Sequence, residues 1–406
     1  MTDFRKILQK YNLPLRYVLV VTTIASSYIF TITFVQLGLP NFGRITLGLD
    51  KDFVNKSIML FGIAGAFSAF IGGLVLGKVR NRIDWIILIR ALSILAAIGG
   101  RSLAPRVISA SAYLNWLLFM GVILGFSSAF GYSLAYLLLP PKNRGMVGGV
   151  ITAIIYGIAA MSLPTSWTLS AFLHDSLVPA LVAYLSYLML LIFVLGKPVS
   201  QQEVDDNVGE KPYRNYGTKK IFFVLTLVLF IDSFGFIRVV MGTEDFANLT
   251  WHGSFPMLVY IGVVHILSAL FFGWMYDRKN PVFVIKASLI FFFIADLLFA
   301  LLYGVPEYQH FLAYSFVFFY APAVSIYTIV YLMLIADVVT KETMGKTYGL
   351  YTAIVGWLAS FISTGVALSM LEVLSPNMHL LIAGLLSLIA FFILRSTFKR
   401  TEQREG

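Results

Sequence analysis

Residues 110–139 read ASAYLNWLLFMGVILGFSSAFGYSLAYLLL and contain no Asp, Glu, Lys or Arg. About 20 mostly apolar residues in a helix are long enough to cross the hydrocarbon core of a bilayer. The apolar residues run continuously and do not alternate, so this stretch predicts a membrane-spanning helix and argues against a strand of a β-barrel. Similar runs recur along the whole chain.

The composition extends this reading to all 406 residues, of which 59% are hydrophobic and 12% charged. A soluble domain carries roughly 25% charged residues, so soluble, disordered and disulfide-rich classes are excluded. The chain has no cysteine, which excludes thiolate metal sites and cysteine nucleophiles. The five histidines are scattered without metal-ligand spacing, and no phosphate-binding loop of Walker type is present. We therefore expect neither an enzyme nor a cofactor.

Twelve apolar segments of span length predict an all-α polytopic membrane protein. They lie at 17–39, 57–77, 84–104, 110–139, 145–164, 178–196, 220–241, 254–276, 282–304, 311–336, 346–370 and 378–395. A polar interruption follows the sixth segment. It predicts an N-terminal six-helix bundle (1–195), a cytoplasmic linker (196–219) and a C-terminal six-helix bundle with a short tail (220–406).

The basic residues predict the orientation of the chain in the membrane. Of the 30 Lys and Arg residues, 22 fall on the side of both termini, five on the opposite side and three within spans. Because basic loops stay on the cytoplasmic side, we expect a multi-pass protein of the cell membrane with both termini cytoplasmic. The bias also explains the net charge of +10, and no nucleic-acid partner needs to be invoked.

The two halves resemble each other at an offset of 200 residues. Thr152-Ala-Ile154 recurs as Thr352-Ala-Ile354, and Gly145 and Gly149 recur as Gly345 and Gly349. Parallel six-helix repeats place a substrate site near the bilayer midplane, between the halves.

Two loop signatures and the six-plus-six arrangement make nearly the whole chain similar to the major facilitator superfamily of transporters. The first signature is Gly73-Leu-Val-Leu-Gly77-Lys78-Val-Arg80-Asn81-Arg82, where Gly77 stands in place of the acid of that family. Its counterpart, Gly273-Trp-Met-Tyr-Asp277-Arg278, keeps the acid. The second signature is Arg144-Gly145-Met-Val-Gly148-Gly149, at the entry to the fifth helix.

The resemblance implies a secondary transporter whose halves rock about a central site, with these loops acting as a gate. A loop acid can hold a basic group or a helix end of the other half, so Gly77 predicts a weaker latch in the first half. The alternative for Asp277 is a solvated loop charge. The fifth helix lacks the Gly-Pro signature of drug/proton antiporters. The gating residues implied are Gly73, Lys78, Arg82, Arg144, Gly145, Gly273, Asp277 and Arg278.

Ionisable residues within spans are expensive to insert and are candidates for function. Asp232 lies near the middle of the seventh span and is the first candidate for a proton-binding carboxylate, with Asp296 or His265 assisting. We expect Asp296 to turn inward toward the seventh or eighth helix, where His265 is a candidate partner. The alternative for each of these three residues is a purely structural role, in which its side chain is hydrogen-bonded to a neighbour and binds no transported proton. Arg90 is expected to pair with Asp84 or to reach the cytoplasmic interface.

Polar and aromatic side chains on the helices that the resemblance assigns to the cavity are candidates for substrate binding. Tyrosines stack on rings and donate hydrogen bonds, although they are also ordinary packing residues. Arg238 could bind an anionic substrate or extend to the outer surface. The full set is Arg238, Tyr28, Gln36, Ser128, Tyr132, Tyr320, Tyr327 and Tyr331.

We therefore expect a secondary active transporter of a small organic solute, coupled to protons and working by alternating access. An uncoupled facilitator, a multidrug-type efflux carrier and a non-transporting membrane receptor are the alternatives. Its expected partners are membrane lipids, a small-molecule substrate and protons, and we expect a monomer.

Overall fold

The structure is a computed structural model that describes residues 12–29, 42–139, 143–161, 177–196, 218–235, 255–279, 281–302, 305–370 and 373–402. Every long element in this part of the chain is a helix. The first half forms α1 (Asn12–Ile29), α2 (Lys51–Val79), α3 (Ile83–Arg101), α4 (Ala110–Leu138), α5 (Arg144–Met161) and α6 (Leu177–Gly196). The second half forms α7 (Thr218–Gly235), α8 (Phe255–Arg278), α9 (Pro281–Leu302), α10 (Gln309–Val338), α11 (the continuous run 344–370) and α12 (Pro376–Glu402).

Eight of the described helices are long and apolar enough to cross a membrane. The prediction of an all-helical, multi-pass membrane protein is confirmed, whereas the count of twelve spans stays a prediction. Three short helical turns lie in the connections, at Phe42–Thr46, Ala104–Arg106 and Pro306–Tyr308. The middle of α11, Tyr351–Ala359, is π-helical.

Side chains that precede α2 and α4 fix where these helices begin. Asp50 accepts hydrogen bonds from the backbone amides of Asp52 and Phe53, at 2.9 and 3.2 Å. Ser109 accepts one from the amide of Ala112 at 3.2 Å. Each cap satisfies amides that have no partner within the helix, so both helices start at a defined residue.

Within the first half, α2 and α4 pack with their backbones in contact. A Cβ atom added to Gly125 would lie 2.1 Å from the carbonyl oxygen of Gly65. In a membrane, where burial of apolar groups does not drive helices together, such close approach supplies the van der Waals contact that does.

The two halves meet along two pairs of helices, α5 with α8 and α2 with α11. On α11, Trp357 and Phe361 place their rings 5.4 and 5.3 Å from the ring of Phe61 on α2. Gly149 on α5 lies so close to α8 that a Cβ would be 2.5 Å from the oxygen of Ala269. The offset of 200 residues exchanges the two pairs, since α2 corresponds to α8 and α5 to α11.

Substituting Ala at Gly125 should lower the melting temperature in detergent by several degrees, because the added methyl group has no room beside Gly65. Overpacking of this kind costs about 1–3 kcal/mol, partly offset by the higher helix propensity of Ala. Gly99→Ala on α3 is the matched control, since a Cβ there meets no atom within 4 Å. Equal melting temperatures for the two variants would contradict the packing described.

Candidate functional site

Glycines bring α2 and α11 into backbone contact at the end of the bundle where α2 and α8 end and α5 and α11 begin. We call this end the latch end. A Cβ on Gly73 would lie 2.2 Å from the Cα atom of Gly349, and one on Gly345 would lie 2.3 Å from the Cα atom of Gly77. No side chain can be added at Gly73 or Gly345 without moving a backbone, so the first and second halves touch directly here.

On the other side of the latch end, Asp277 binds the first turn of α5. Its Oδ1 accepts from the amide of Gly145 and its Oδ2 from the amide of Met146, both at 2.7 Å. The first amides of a helix lack partners and carry a partial positive charge, so a carboxylate there is stabilised. A Cβ on Gly145 would lie 2.6 Å from the oxygen of Gly273, which is why both positions carry glycine. The carboxylate of Asp277 therefore joins the second half to the first.

The corresponding loop of the first half is built differently. Gly77 stands where the acid would be, and its backbone faces Gly345 at the start of α11. Arg80 donates from Nη1 to the carbonyl oxygen of Glu342 at 2.8 Å. Of the other basic residues in these loops, Arg82 is exposed and Arg278 lies over Trp274 of its own helix, 5.2 Å from the ring centroid. Lys78 is exposed in the last turn of α2.

A buried ion pair lies behind the glycine contacts. Arg144 at the start of α5 donates from Nη1 to Oδ1 of Asp337 at 2.8 Å, and both side chains are 1% exposed. Arg144 also donates to the carbonyl oxygens of Ala336, at 2.8 Å, and of Tyr136, at 3.2 Å. Tyr276 donates its hydroxyl hydrogen to Oδ2 of Asp337 at 2.7 Å. The sequence marked Arg144 but not Asp337, because Asp337 directly follows a predicted span and belongs to no motif.

Three of the predicted substrate-binding tyrosines come together between the halves. The rings of Tyr132 on α4 and Tyr331 on α10 lie 5.6 Å apart and are nearly perpendicular to each other. Tyr327 lies 6.0 Å from Tyr331, and Tyr351 on α11 lies 5.3 Å from it. This aromatic cluster closes the seam between α4 and α10.

The other predicted substrate-binding residues are not part of this cluster. Tyr320 packs on Phe316 and Phe292 within the second half, at 5.0 and 6.2 Å. Ser128 donates to the carbonyl oxygen of Gly125 on its own helix at 2.6 Å. Gln36, Arg238 and the side chain of Tyr28 lie outside the described residues.

Among the proton-coupling candidates, His265 lies between the halves. Its ring stacks on Tyr156 of α5, with centroids 4.6 Å apart, and its Nδ1 lies 3.4 Å from Oγ of Ser325 on α10. The hydroxyl of Tyr156 lies 2.9 Å from Oγ1 of Thr328.

The two carboxylates lie elsewhere in the second half. Asp296 is fully buried on α9, where a Cβ on Gly384 of α12 would lie 3.3 Å from its Cβ atom. This face of α9 lies against α12, and the described contacts of His265 are with Tyr156 and Ser325, so a pairing of Asp296 with His265 stays a prediction. Asp232 is partly buried on α7, and its neighbour Ser233 lies 3.0 Å from Ser360 of α11, between the hydroxyl oxygens.

Arg90 on α3 is buried inside the first half, so neither of its expected positions is found. Its Nη1 donates to the hydroxyl and carbonyl oxygens of Ser127 on α4, and its Nη2 donates to the carbonyl oxygen of Thr23 on α1 at 3.2 Å. These neutral oxygens face inward from α4 and α1 and hold the guanidinium away from Asp84 and from the interface.

Comparison with known proteins gives neither a matching family model nor a matching curated protein. Solved structures do match. A proton:xylose symporter of the major facilitator superfamily, XylE, shares 15% identity over 95% of each chain with a TM-score of 0.65. The human organic anion transporter MFSD10 shares 15% over 95% of this chain and 99% of its own, with a TM-score of 0.60. A bacterial homologue of the iron transporter ferroportin, in an outward-facing state, shares 12% over 98% and 99%, with a TM-score of 0.64. At these identities the likeness establishes the fold, and the resemblance predicted from the sequence is confirmed at that level.

Replacing Arg144 by Met should strongly destabilise the protein, because it leaves the Asp337 carboxylate buried without its cation. Breaking a buried pair in this way costs about 3–5 kcal/mol. The double variant Arg144→Met with Asp337→Leu should recover most of the loss in melting temperature. Lys279→Met, an exposed position, serves as the control. Additive losses for the two single variants would contradict the pairing.

Proposed function

Because the chain has the fold of the major facilitator superfamily, we propose that it is a secondary transporter of a small organic solute that works by alternating access. One observation carries the proposal: the contacts that close the latch end can separate without leaving a buried charged group with no hydrogen-bond partner. The glycine contacts leave only helix backbone behind, whose hydrogen bonds remain inside each helix. Asp277, which is partly exposed already, would exchange two amides for water.

The ion pair of the latch end supports the same mechanism. Arg144 has partners in its own half, the carbonyl oxygens of Tyr136 and Leu139. Asp337 likewise keeps the hydroxyl of Tyr276, which belongs to the second half. When the halves separate, each charged group retains a hydrogen-bond partner, so two discrete arrangements of the same interface are available.

Coupling to protons is proposed through Asp232, Asp296 and His265. One described contact of His265 crosses between the halves, since its ring stacks on Tyr156 of α5. A proton bound to His265 would place a positive charge in this buried contact, where it is costly, and would favour the arrangement that admits water. Asp232 and Asp296, which both lie in the second half, would bind the transported proton there.

The chain is a multi-pass membrane protein in contact with lipid. We further propose that both termini are cytoplasmic, that residues 196–219 are the linker between two six-helix bundles, and that the protein works as a monomer in the cell membrane.

Asp277→Asn should shift the protein toward states with an open latch end. An amide can accept at only one of the two α5 amides and lacks the charge that favours a helix start, so about 1–2 kcal/mol is lost. The chain has no cysteine, so spin labels at Asn81→Cys and Lys346→Cys carry no background from other labelled sites. Their separation reports the distance between the first and second halves at the latch end. The long-distance fraction should rise about 5- to 30-fold relative to the closed one.

Gly77→Asp provides the opposite change in the same labelled protein. A Cβ at Gly77 meets only the Cα atom of Gly345, at 3.6 Å, so a side chain fits and its carboxylate would face the start of α11. The short-distance fraction should therefore rise, whereas the exposed Asp52→Asn at the far end of α2 should change nothing. Identical distance distributions in all variants would contradict the gating role.

Asp232→Asn should reduce the pH-gradient dependence of solute uptake at least tenfold, because the amide cannot carry the proton. The measurement is uptake of a metabolite panel into proteoliposomes with and without an imposed pH gradient. If the variant keeps full gradient dependence, Asp232 is not the coupling residue. Wild-type uptake that ignores the gradient would indicate an uncoupled facilitator.

A further inference from the structure

Arg90 is a charged residue deep inside the first half. It lies about 10 Å along α3 from Ile83, at 1.5 Å per residue, and its side chain is 4% exposed. A charge at this depth in a membrane protein is expensive to insert and typically marks a substrate or ion pathway. The role of Arg90 is not explained by the latch end or by the proton-coupling candidates.

The hydrogen bonds of Arg90 leave its positive charge without a counter-charge. Its partners are oxygens of Ser127 and Thr23, all of them neutral. No carboxylate of the described residues pairs with it, and its buried Nε–H has no hydrogen-bond partner among them. The unused donors are Nε–H and the second hydrogen of Nη2. Nε–H lies on the Nε–Nη2 edge of the guanidinium, the edge that matches the two oxygens of a carboxylate or phosphate.

The position of Arg90 connects this edge to the boundary between the halves. Over one face of its guanidinium lies Gly131 of α4, where a Cβ would be 3.1 Å from Cζ and would crowd the Nε edge. The next residue, Tyr132, is close enough to interact electrostatically with Arg90. The ring of Tyr132 in turn contacts Tyr331 of the second half. Arg90 therefore lies one layer of side chains behind the seam.

We propose that Arg90 binds an oxyanionic group, a carboxylate or a phosphate, of the transported solute. The proposal rests on the proposed transport function and names its substrate class. Ser127 and Thr23 hold the guanidinium so that its free edge is fixed before the ligand arrives. The hydroxyl of Tyr132, which interacts electrostatically with Arg90, would donate to the same anion, and the ring of Tyr132 joins this contact to Tyr331 of the second half.

The test is equilibrium binding by thermal unfolding of the purified full chain in detergent. Succinate and inorganic phosphate are the probes, succinamide is the neutral analogue, and ionic strength is matched with sodium chloride. A ligand that binds only the folded state stabilises it by RT ln(1 + c/Kd), where c is the ligand concentration, so the melting temperature rises with the ratio of ligand concentration to Kd. The wild type should be stabilised by succinate or phosphate and not by succinamide, and the better probe identifies the class.

Arg90→Lys keeps the charge but not the two-donor edge, so at least tenfold more of the active probe should be needed for the same shift. Arg106→Lys, in an exposed turn, is the matched control and should behave as the wild type. If Arg90→Lys does not fold, Tyr132→Phe takes its place, since it leaves every hydrogen bond of Arg90 intact and should weaken binding about threefold to tenfold.

The proposal is overturned if succinamide raises the melting temperature of the wild type by as much as succinate and phosphate do. It is overturned likewise if neither succinate nor phosphate raises it. It is also overturned if Arg90→Lys, or Tyr132→Phe in its place, binds the active probe as tightly as the wild type. Flux plays no part in this measurement. A protein that binds succinate through Arg90 but shows neither uptake nor movement at the latch end would refute the transport function and leave the anion site standing.

Discussion

Backbone contact at the latch end is the constraint on which the structure depends. Gly73 and Gly145 lie where a single added carbon would strike the backbone of the other half. In lipid, helices associate through packing and not through burial of apolar surface, so contacts this close carry the association of the halves. They also bring Asp277 within reach of the α5 amides and Arg144 within reach of Asp337. A larger residue at these glycines would remove the electrostatic contacts together with the packing.

The Arg144–Asp337 pair and Arg90 are both buried in the bundle, but their charges are compensated differently. Arg144 and Asp337 neutralise each other across the halves, and each has a second hydrogen-bond partner within its own half. Arg90 has neutral oxygens as its only described partners, so its charge remains uncompensated within the first half. The first arrangement suits an interface that opens and closes. The second suits a site that receives its counter-charge from a ligand.

Much of the fold could be predicted from the sequence, because spans depend on local composition and the loop signatures on short spacings. The membrane class, the helical content and the glycine loops followed from residues close together in the chain. The partners could not be predicted in this way. Asp337 lies 193 residues from Arg144, and Ser127 lies 37 residues from Arg90, so only the packing of whole helices brings each pair together. Tyr320 shows the limit of helical periodicity: it shares a face with Tyr327 on an ideal helix, yet it packs on Phe316 and Phe292.

The proposed transport function requires the two halves to move against each other as units about the latch end. A cryo-electron microscopy structure of the chain in lipid nanodiscs, with the latch end open, tests this most directly. We predict that each half superimposes on the present structure, with Arg144 still bonded to the Tyr136 carbonyl and Asp337 to Tyr276, while the Arg144–Asp337 and Asp277–Gly145 contacts are broken. An open state that keeps both contacts and instead rearranges helices within a half would contradict it.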